Sequence, residues 1–218
     1  MPEPTRNTRS YHSPRRQEQA AATRRHILHT AQRLFERDGY PSTSMAFIAA
    51  ESGVALKTVY LTFDTKNGLL RALWQFLLGG QDDDAPVVQR DWYREVVEEP
   101  DPRRVLSLNA RNSRLVKTRA GALMAVIRGA ATTDPDLDDL WQHIQTDFHA
   151  NQGSIVRLLQ EKNALRAGLD PERATDILWA LNHPDVWQLF VAQRQWTPGN
   201  YEQWIADTSS AQLLGRDT

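Results

Sequence analysis

Residues 43–66 read TSMAFIAAESGVALKTVYLTFDTK, and the rest of the chain is interpreted outward from them. Met45, Ile48 and Ala49 recur at helical spacing, and Ser52-Gly53 interrupts the run so that the chain reverses there. A second helix of about two turns follows. Val54, Val59 and Phe63 give it one thin apolar edge, leaving Leu56, Lys57, Thr58, Tyr60 and Leu61 little to pack against, and a further helix opens at Thr65. A short helix with an outer face of Lys, Thr and Tyr meets the needs of a helix-turn-helix. Its second helix has to enter a major groove about 12 Å wide and bring donors to base edges and phosphates. Periodicity alone fits an ordinary helical hairpin in a bundle equally well.

Charge distribution bears on that choice. The whole chain of 218 residues carries a net −1, yet residues 1–66 hold ten Lys or Arg against six Asp or Glu. A basic head on an acidic body is the pattern expected when one end touches phosphate. The chain is 40% apolar, enough for a substantial core in one compact unit or two small ones. It has no cysteine, which excludes disulfides, thiolate zinc sites and cysteine nucleophiles. Met1 leads into Pro, Thr, Asn and Arg, and no apolar run approaches the ~20 residues of a membrane span. The expected protein is soluble and cytoplasmic, with no membrane partner.

Gly53-Val54, Thr58-Val59-Tyr60, Phe63 and Lys66, preceded by Gly39-Tyr40, Thr43 and Ile48-Ala49, together resemble the N-terminal DNA-binding domain of the TetR family of bacterial repressors. The resemblance runs from Ile27 to Trp74. A weaker similarity lies in Gln195-Trp196-Thr197-Pro198 and Tyr201-Glu202-Gln203-Trp204, which look like the opening of the last helix in many members. The implied organisation is all-α: a disordered basic arm at 1–13, a three-helix helix-turn-helix domain at 14–64, and a helical-bundle ligand and dimerisation domain at 65–218. The chain departs from the family pattern at Ala55, where relatives carry a capping Ser, and the missing cap is worth about 1 kcal/mol. It departs again at Lys57, usually small or Pro, at Thr62, usually His or Tyr, and at Ala46-Phe47, often Arg and Asp. No relative's operator sequence therefore carries over.

Chemistry assigns roles within this frame. Thr43 and Ser44 can cap the supporting helix and offer hydroxyl and N–H groups to a phosphate at its positive end. By resemblance Tyr60 and Lys66 contact the DNA backbone; Tyr60 could instead pack on the first helix, whereas Lys66 opposes the dipole of its own helix and so asks for a functional reason. Leu56, Lys57, Thr58 and Leu61 are the candidates for base edges, with Thr62 beside them and the leucines limited to contacts such as thymine methyls.

Taken in order, residues 1–13 carry Arg6 and Arg9 in a Pro-containing polar tail, and Ser13-Pro14 offers a cap and a first helical position. Ile27, Leu28, Ala31, Leu34 and Phe35 form the stripe of the first helix, which Gly39 ends, with Arg24 or Arg25 available to a phosphate. The fourth helix runs from Thr65 to Leu78 on Leu69, Leu70, Leu73, Trp74 and Leu77. Asp82-Asp83-Asp84 has the carboxylates a hard cation would want, but no EF-hand spacing follows and the run reads as the solvated linker between head and body. Helical segments follow near 87–98, 102–118, 120–131, 136–161, 171–195 and 198–214, most of the breaks holding Pro after Asp, Glu or Thr.

The resemblance implies that the last two helices pair about a two-fold axis through Leu178, Leu181, Trp187, Phe190, Trp204, Ile205 and Leu213; the same groups also suit an intramolecular core. Leu123, Met124, Ile127, Trp141, Ile144, Phe148 and Trp179 lie on segments that in the family enclose a small-molecule cavity, with His143, His149 or Asn182 as polar fixing points. His143 and Asp147 share a helical face, from which His149 departs, so no catalytic or metal group forms there. Without a Gly-rich phosphate loop or a GxSxG elbow, no enzyme, cofactor or metal is expected. The expectation is a ligand-responsive transcriptional regulator that acts as a homodimeric repressor on a pseudo-palindromic operator and is released by a small apolar or aromatic effector. The alternative is a DNA-binding adaptor whose body engages a protein and has no effector pocket.

Overall fold

A computed structural model of the chain describes residues 14–79 and 91–215. The basic arm, the Asp82-Asp83-Asp84 run and residues 87–90 lie outside the described residues. Within them the secondary structure is helical: α1 Pro14–Ser42, α2 Met45–Ser52, α3 Leu56–Phe63, α4 Lys66–Gly79, α5 Asp91–Glu98, α6 Pro102–Ala131, α7 Pro135–Glu161, α8 Pro171–Leu181, α9 Pro184–Trp187, a π-helical turn Gln188–Gln193, and α10 Pro198–Leu213. An isolated bridge between Leu165 and Leu214 ties the chain after α7 to the end of α10. No single helix among the described residues is long and apolar enough to cross a membrane.

Most boundaries follow from local chemistry. Asp101, Asp134, Asp170 and Thr197 each precede a Pro at the first helical position, and each side chain accepts a backbone N–H from Arg103, Asp136, Arg173 and Asn200 respectively. That satisfies one orphan donor of each helix while Pro supplies a residue with none. In α1 the regular winding stops at Gly39 (φ 80°, ψ 166°), a region open to glycine alone.

Two of the sequence-based boundaries change. The expected break near 119 is absent and α6 runs through it. Gly121, inside that helix, is where Trp187 packs; a Cβ there would lie 3.2 Å from the indole Nε1. Conversely, the expected helix 171–195 divides at Asn182, because His183 caps α9 through Nδ1 and Pro184 restarts the winding.

The head does not have a core of its own. Ile27, Leu34 and Phe35 of α1, Met45 and Ile48 of α2, Val59 and Phe63 of α3, and Leu69, Leu70 and Leu73 of α4 form one apolar cluster that continues into Leu123 and Ile127 of α6 and Leu137 and Leu140 of α7. This relocates two of the expected cavity residues: Leu123 and Ile127 are fully buried in the joint between head and body. A second cluster joins α6, α7, α8 and α10 through Leu106, Val156, Leu159, Leu178 and Leu213, and a third holds Ala110, Trp187, Tyr201 and Ile205. Leu178, Ile205 and Leu213, expected at the dimer interface, are thus buried inside the protomer, and Trp187 keeps only 6% exposure, toward a groove of its own protomer. Periodicity marks an apolar stripe but not which neighbour covers it, and here α6 does.

Candidate functional site

The loop-to-helix segment 43–66 presents α3 outward. Val59 and Phe63 are buried, while Leu56, Lys57, Tyr60, Leu61 and Thr62 are exposed, Leu61 by 78%. Ala55 precedes α3 without a side-chain cap. Asp64 closes it at φ 62°, and the Thr65 hydroxyl accepts the Gly68 N–H at 2.9 Å to start α4. The Thr62 hydroxyl donates back to the Thr58 carbonyl at 2.8 Å, so in this conformation it is committed to its own helix.

The remaining candidates divide. Ser44 is exposed and caps α2 by accepting the Phe47 N–H at 3.1 Å. Thr43 turns the other way: it is fully buried, and its hydroxyl reaches the Leu34 and Gly39 carbonyls at 3.3 and 2.9 Å. Its role is to latch α1 to the start of α2, which removes its side chain from the phosphate-facing set. Lys66 lies with Nζ 3.9 Å from the centre of the Tyr40 ring, and burial lowers its pKa while Asp134 opposes that shift. A cation–π contact and a nearby carboxylate therefore account for a cation at a helix N-terminus without DNA.

Sequence reasoning missed three supports of this surface. The Arg24 guanidinium lies 4.8 Å from the Phe63 ring centre, His26 Nε2 is 3.1 Å from the Ser52 carbonyl, and Gly68 lets α4 pass under the end of α3. The Asn67-Gly68 pair in the first turn of a helix was the one available signal.

In the body, a cavity of about 380 Å³ opens between α4, α5, α6 and α7. Of the expected residues it brings together Met124, Ile144 and Phe148, and adds Trp74, Trp92, Tyr93 and a polar stretch of α6 with Asn112, Ser113 and Lys117. Trp141 lines a separate, more open groove beside Met124 and Trp187. Trp179 stacks edge-on with His183 and His149, ring centres 5.1 and 6.0 Å away. Asn182 is fully buried and accepts from Ser113 Oγ at 2.8 Å and from Lys117 Nζ at 3.2 Å. Its amide in turn reaches Gln152 Oε1 at 3.5 Å, and Asn109 donates to that oxygen at 3.0 Å.

Two titratable groups here are strongly shifted. Burial pushes Lys117 down to about 7. Burial, then the charges of Arg128 and Lys117, push His183 down to about 4. His183 is therefore neutral near pH 7: Nδ1 accepts from the Asp185 N–H and Nε2 donates to Gln145 Oε1 at 2.9 Å, so its proximity to the Asp185 carboxylate is not an ion pair. His143 pairs with Asp147 at 3.4 Å and His149 with Asp176 at 3.0 Å, two separate surface pairs. Among the described residues no group of three His, Cys, Asp or Glu could hold a metal ion.

On the outer faces of α8–α10, Leu181, Phe190 and Trp204 keep partial exposure. Phe190 packs 4.4 Å from Trp196 and 4.7 Å from Trp204 between ring centres, and neighbouring Leu189 is 52% exposed. Leu189 belongs to the apolar set that the sequence places on the last two helices, whereas Trp196 joins this patch without having been expected there.

Comparison with known proteins places these features. Residues 27–73 match the family model of the bacterial regulatory proteins of the tetR family. The chain is 40% identical to the HTH-type transcriptional regulator AcrR of Shigella flexneri over 58 residues, a match that spans 27% of either protein. It is 26% identical to the HTH-type transcriptional regulator TtgR of Pseudomonas putida across 92% of this chain and 89% of that protein. In fold it is similar to a chain from Saccharomonospora viridis, classed as a transcriptional regulator and solved in complex with choline. That likeness has a TM-score of 0.70 at 20% identity, over 90% of this chain and all of the other.

Proposed function

We propose that this chain, whose residues 27–73 match the tetR family of bacterial regulatory proteins, is a homodimeric repressor that binds a pseudo-palindromic operator through α3 and leaves it when a small apolar or aromatic molecule enters the body. One observation carries the DNA half of this reading. On the outer face of α3, Leu56, Lys57, Tyr60, Leu61 and Thr62 are exposed, while its inner edge is locked by Val59 and Phe63. Lys57, Thr58 and Tyr60 reach base edges or phosphate, Leu56 and Leu61 meet thymine methyls, and Ser44 with the α2 N-terminus holds the backbone. A dimer would set two such helices roughly 34–36 Å apart, one turn of duplex.

The effector half rests on the cavity. Trp74 and Met124 each line it and also belong to the apolar cluster shared with α1–α3. A ligand that displaces them favours another seating of α4 and α6, and with it another spacing of the two heads. Release is then a population shift set by the ligand's differential affinity for the two spacings. A chain of similar fold from Saccharomonospora viridis was solved in complex with a small molecule, choline. An adaptor with a protein-binding body remains the second reading; an open cavity of about 380 Å³ favours the first.

Selection of bound duplexes from random DNA tests the proposal directly. The expected product is an inverted repeat with half-sites about one turn apart, bound with an affinity that falls steeply with salt. Recovery of no enriched sequence, or of a salt-insensitive complex, would sink it.

A further inference from the structure

The α6 wall of the cavity carries a group that the reading above leaves unused. Lys117 is 4% exposed, and its Nζ has only neutral hydrogen-bond partners, Ser113 Oγ at 2.5 Å and Asn182 Oδ1 at 3.2 Å. No carboxylate among the described residues pairs with it. A buried ammonium without a counter-ion is a costly arrangement, and proteins otherwise replace it by an apolar side chain or pair it. Arg37, Arg111, Arg114 and Arg128 of this chain are all paired with acids near the surface.

A second, independent defect lines the same cavity. Asn112 is 8% exposed, and neither its Nδ2 nor its Oδ1 has a partner. Gln145 accepts from His183 at Oε1 and leaves Nε2 without an acceptor, and it too lines the cavity. Buried polar atoms without partners are rare and call for an explanation. Here a positive charge and two amide N–H groups want acceptors within one chamber whose other walls are Trp74, Trp92, Met124 and Phe148.

We propose that the effector is a carboxylic acid on an aromatic body, its carboxylate seated on Lys117 and the free amide of Asn112 and its ring system held between the aromatic walls. This rests on reading the cavity as the effector site and narrows the ligand class. A cation would meet Lys117 with repulsion, and a neutral molecule would leave the ammonium uncompensated. Asp147 also lines the cavity, but it is well exposed and lies 3.4 Å from His143. The other titratable groups nearby are His183, held neutral, Arg128, which pairs with Asp185, and the hydroxyls of Tyr93 and Tyr201. Burial pushes the Tyr201 hydroxyl up, so it stays neutral. An entering carboxylate restores the ammonium form of Lys117, so binding takes up a proton above about pH 7.

The test uses the full chain, titrated calorimetrically with three matched probes: naphthoate, naphthamide and naphthyltrimethylammonium. The expected order is naphthoate tightest by at least about tenfold, with the ammonium weakest. Naphthoate affinity should fall from pH 7 to 9 while that of naphthamide stays flat, a readout that needs no variant. Lys117→Met and Lys117→Gln, each checked for a cooperative melt, should bind naphthoate and naphthamide alike. If naphthamide or the ammonium binds wild type as tightly as naphthoate, the acid assignment is wrong and the effector cavity stands. If none of the three binds at millimolar concentration, both readings of the cavity are overturned, whereas the duplex selection judges the DNA reading separately.

Discussion

Gly68 shows how much one missing atom contributes. A Cβ at this position would lie 2.3 Å from the Phe63 carbonyl oxygen, which is backbone and cannot swing away. Gly68→Ala should therefore lower stability by about 1–3 kcal/mol and displace α3 from α4; a thermal melt together with operator affinity reads both effects. Lys66 has two competing duties. If it leaves the Tyr40 ring for a phosphate, Lys66→Ala reduces the salt slope of operator binding by about one; if stacking is its whole role, the melt falls and the slope is unchanged. Lys117 makes a prediction about pH. Its folded pKa of about 7 lies below the ordinary lysine value, so between those two the unfolded chain binds the extra proton and stability rises with pH. From pH 7 to 9, where Tyr201 does not yet titrate, the slope should approach about 1.4 kcal/mol per pH unit in the ligand-free protein and vanish in Lys117→Met. Urea unfolding across that range is the measurement.

At the scale of elements, α3 is the least self-sufficient helix of the head. It has eight residues, no side-chain cap at Ala55 and a left-handed Asp64 at its end. Its position depends on Val59 and Phe63 below and on Arg24 beside the Phe63 ring. Ala55→Ser should add a cap worth about 1 kcal/mol, seen as a higher urea midpoint with the same dependence on denaturant. The long helices show the opposite balance. α6 and α7 are fixed at their N-termini by Asp101 and Asp134 and along their length by burial. Within residues 171–195 only His183-Pro184 signals the division, and the apolar pattern on both sides of it continues as one helix would.

At the scale of the molecule, the shared apolar cluster makes head and body one mechanical unit. Gln32 Nε2 donates to the Arg119 carbonyl at 3.4 Å and Arg71 to the Asp136 carbonyl at 3.2 Å, joining α1 to α6 and α4 to α7. A dimer would use the surface that remains apolar after the protomer has folded, which is Leu181, Leu189, Phe190, Trp196 and Trp204 rather than the four residues now inside. Leu189→Asp, at a half-exposed site where a charge costs the protomer little, should turn dimers into monomers in sedimentation and abolish operator binding at low protein concentration. Retention of a dimer would move the interface elsewhere.

From the residues alone came the all-α class, the reversal at Gly53, the apolar edge of α3 and the Asp-Pro and Thr-Pro helix starts, because each depends on neighbours within a few positions along the chain. Periodicity also named nearly every buried aliphatic residue of the head. Only the tertiary structure decided which neighbour each stripe meets: that Thr43 faces inward, that Leu123 and Ile127 join head to body, that Trp187 and Leu213 serve the protomer, and that Lys117 and Asn112 are left unpaired in one cavity. The physical reason is that burial and pairing depend on which segments meet across long sequence separations, and a one-dimensional pattern records the demand for a partner without recording which partner answers it.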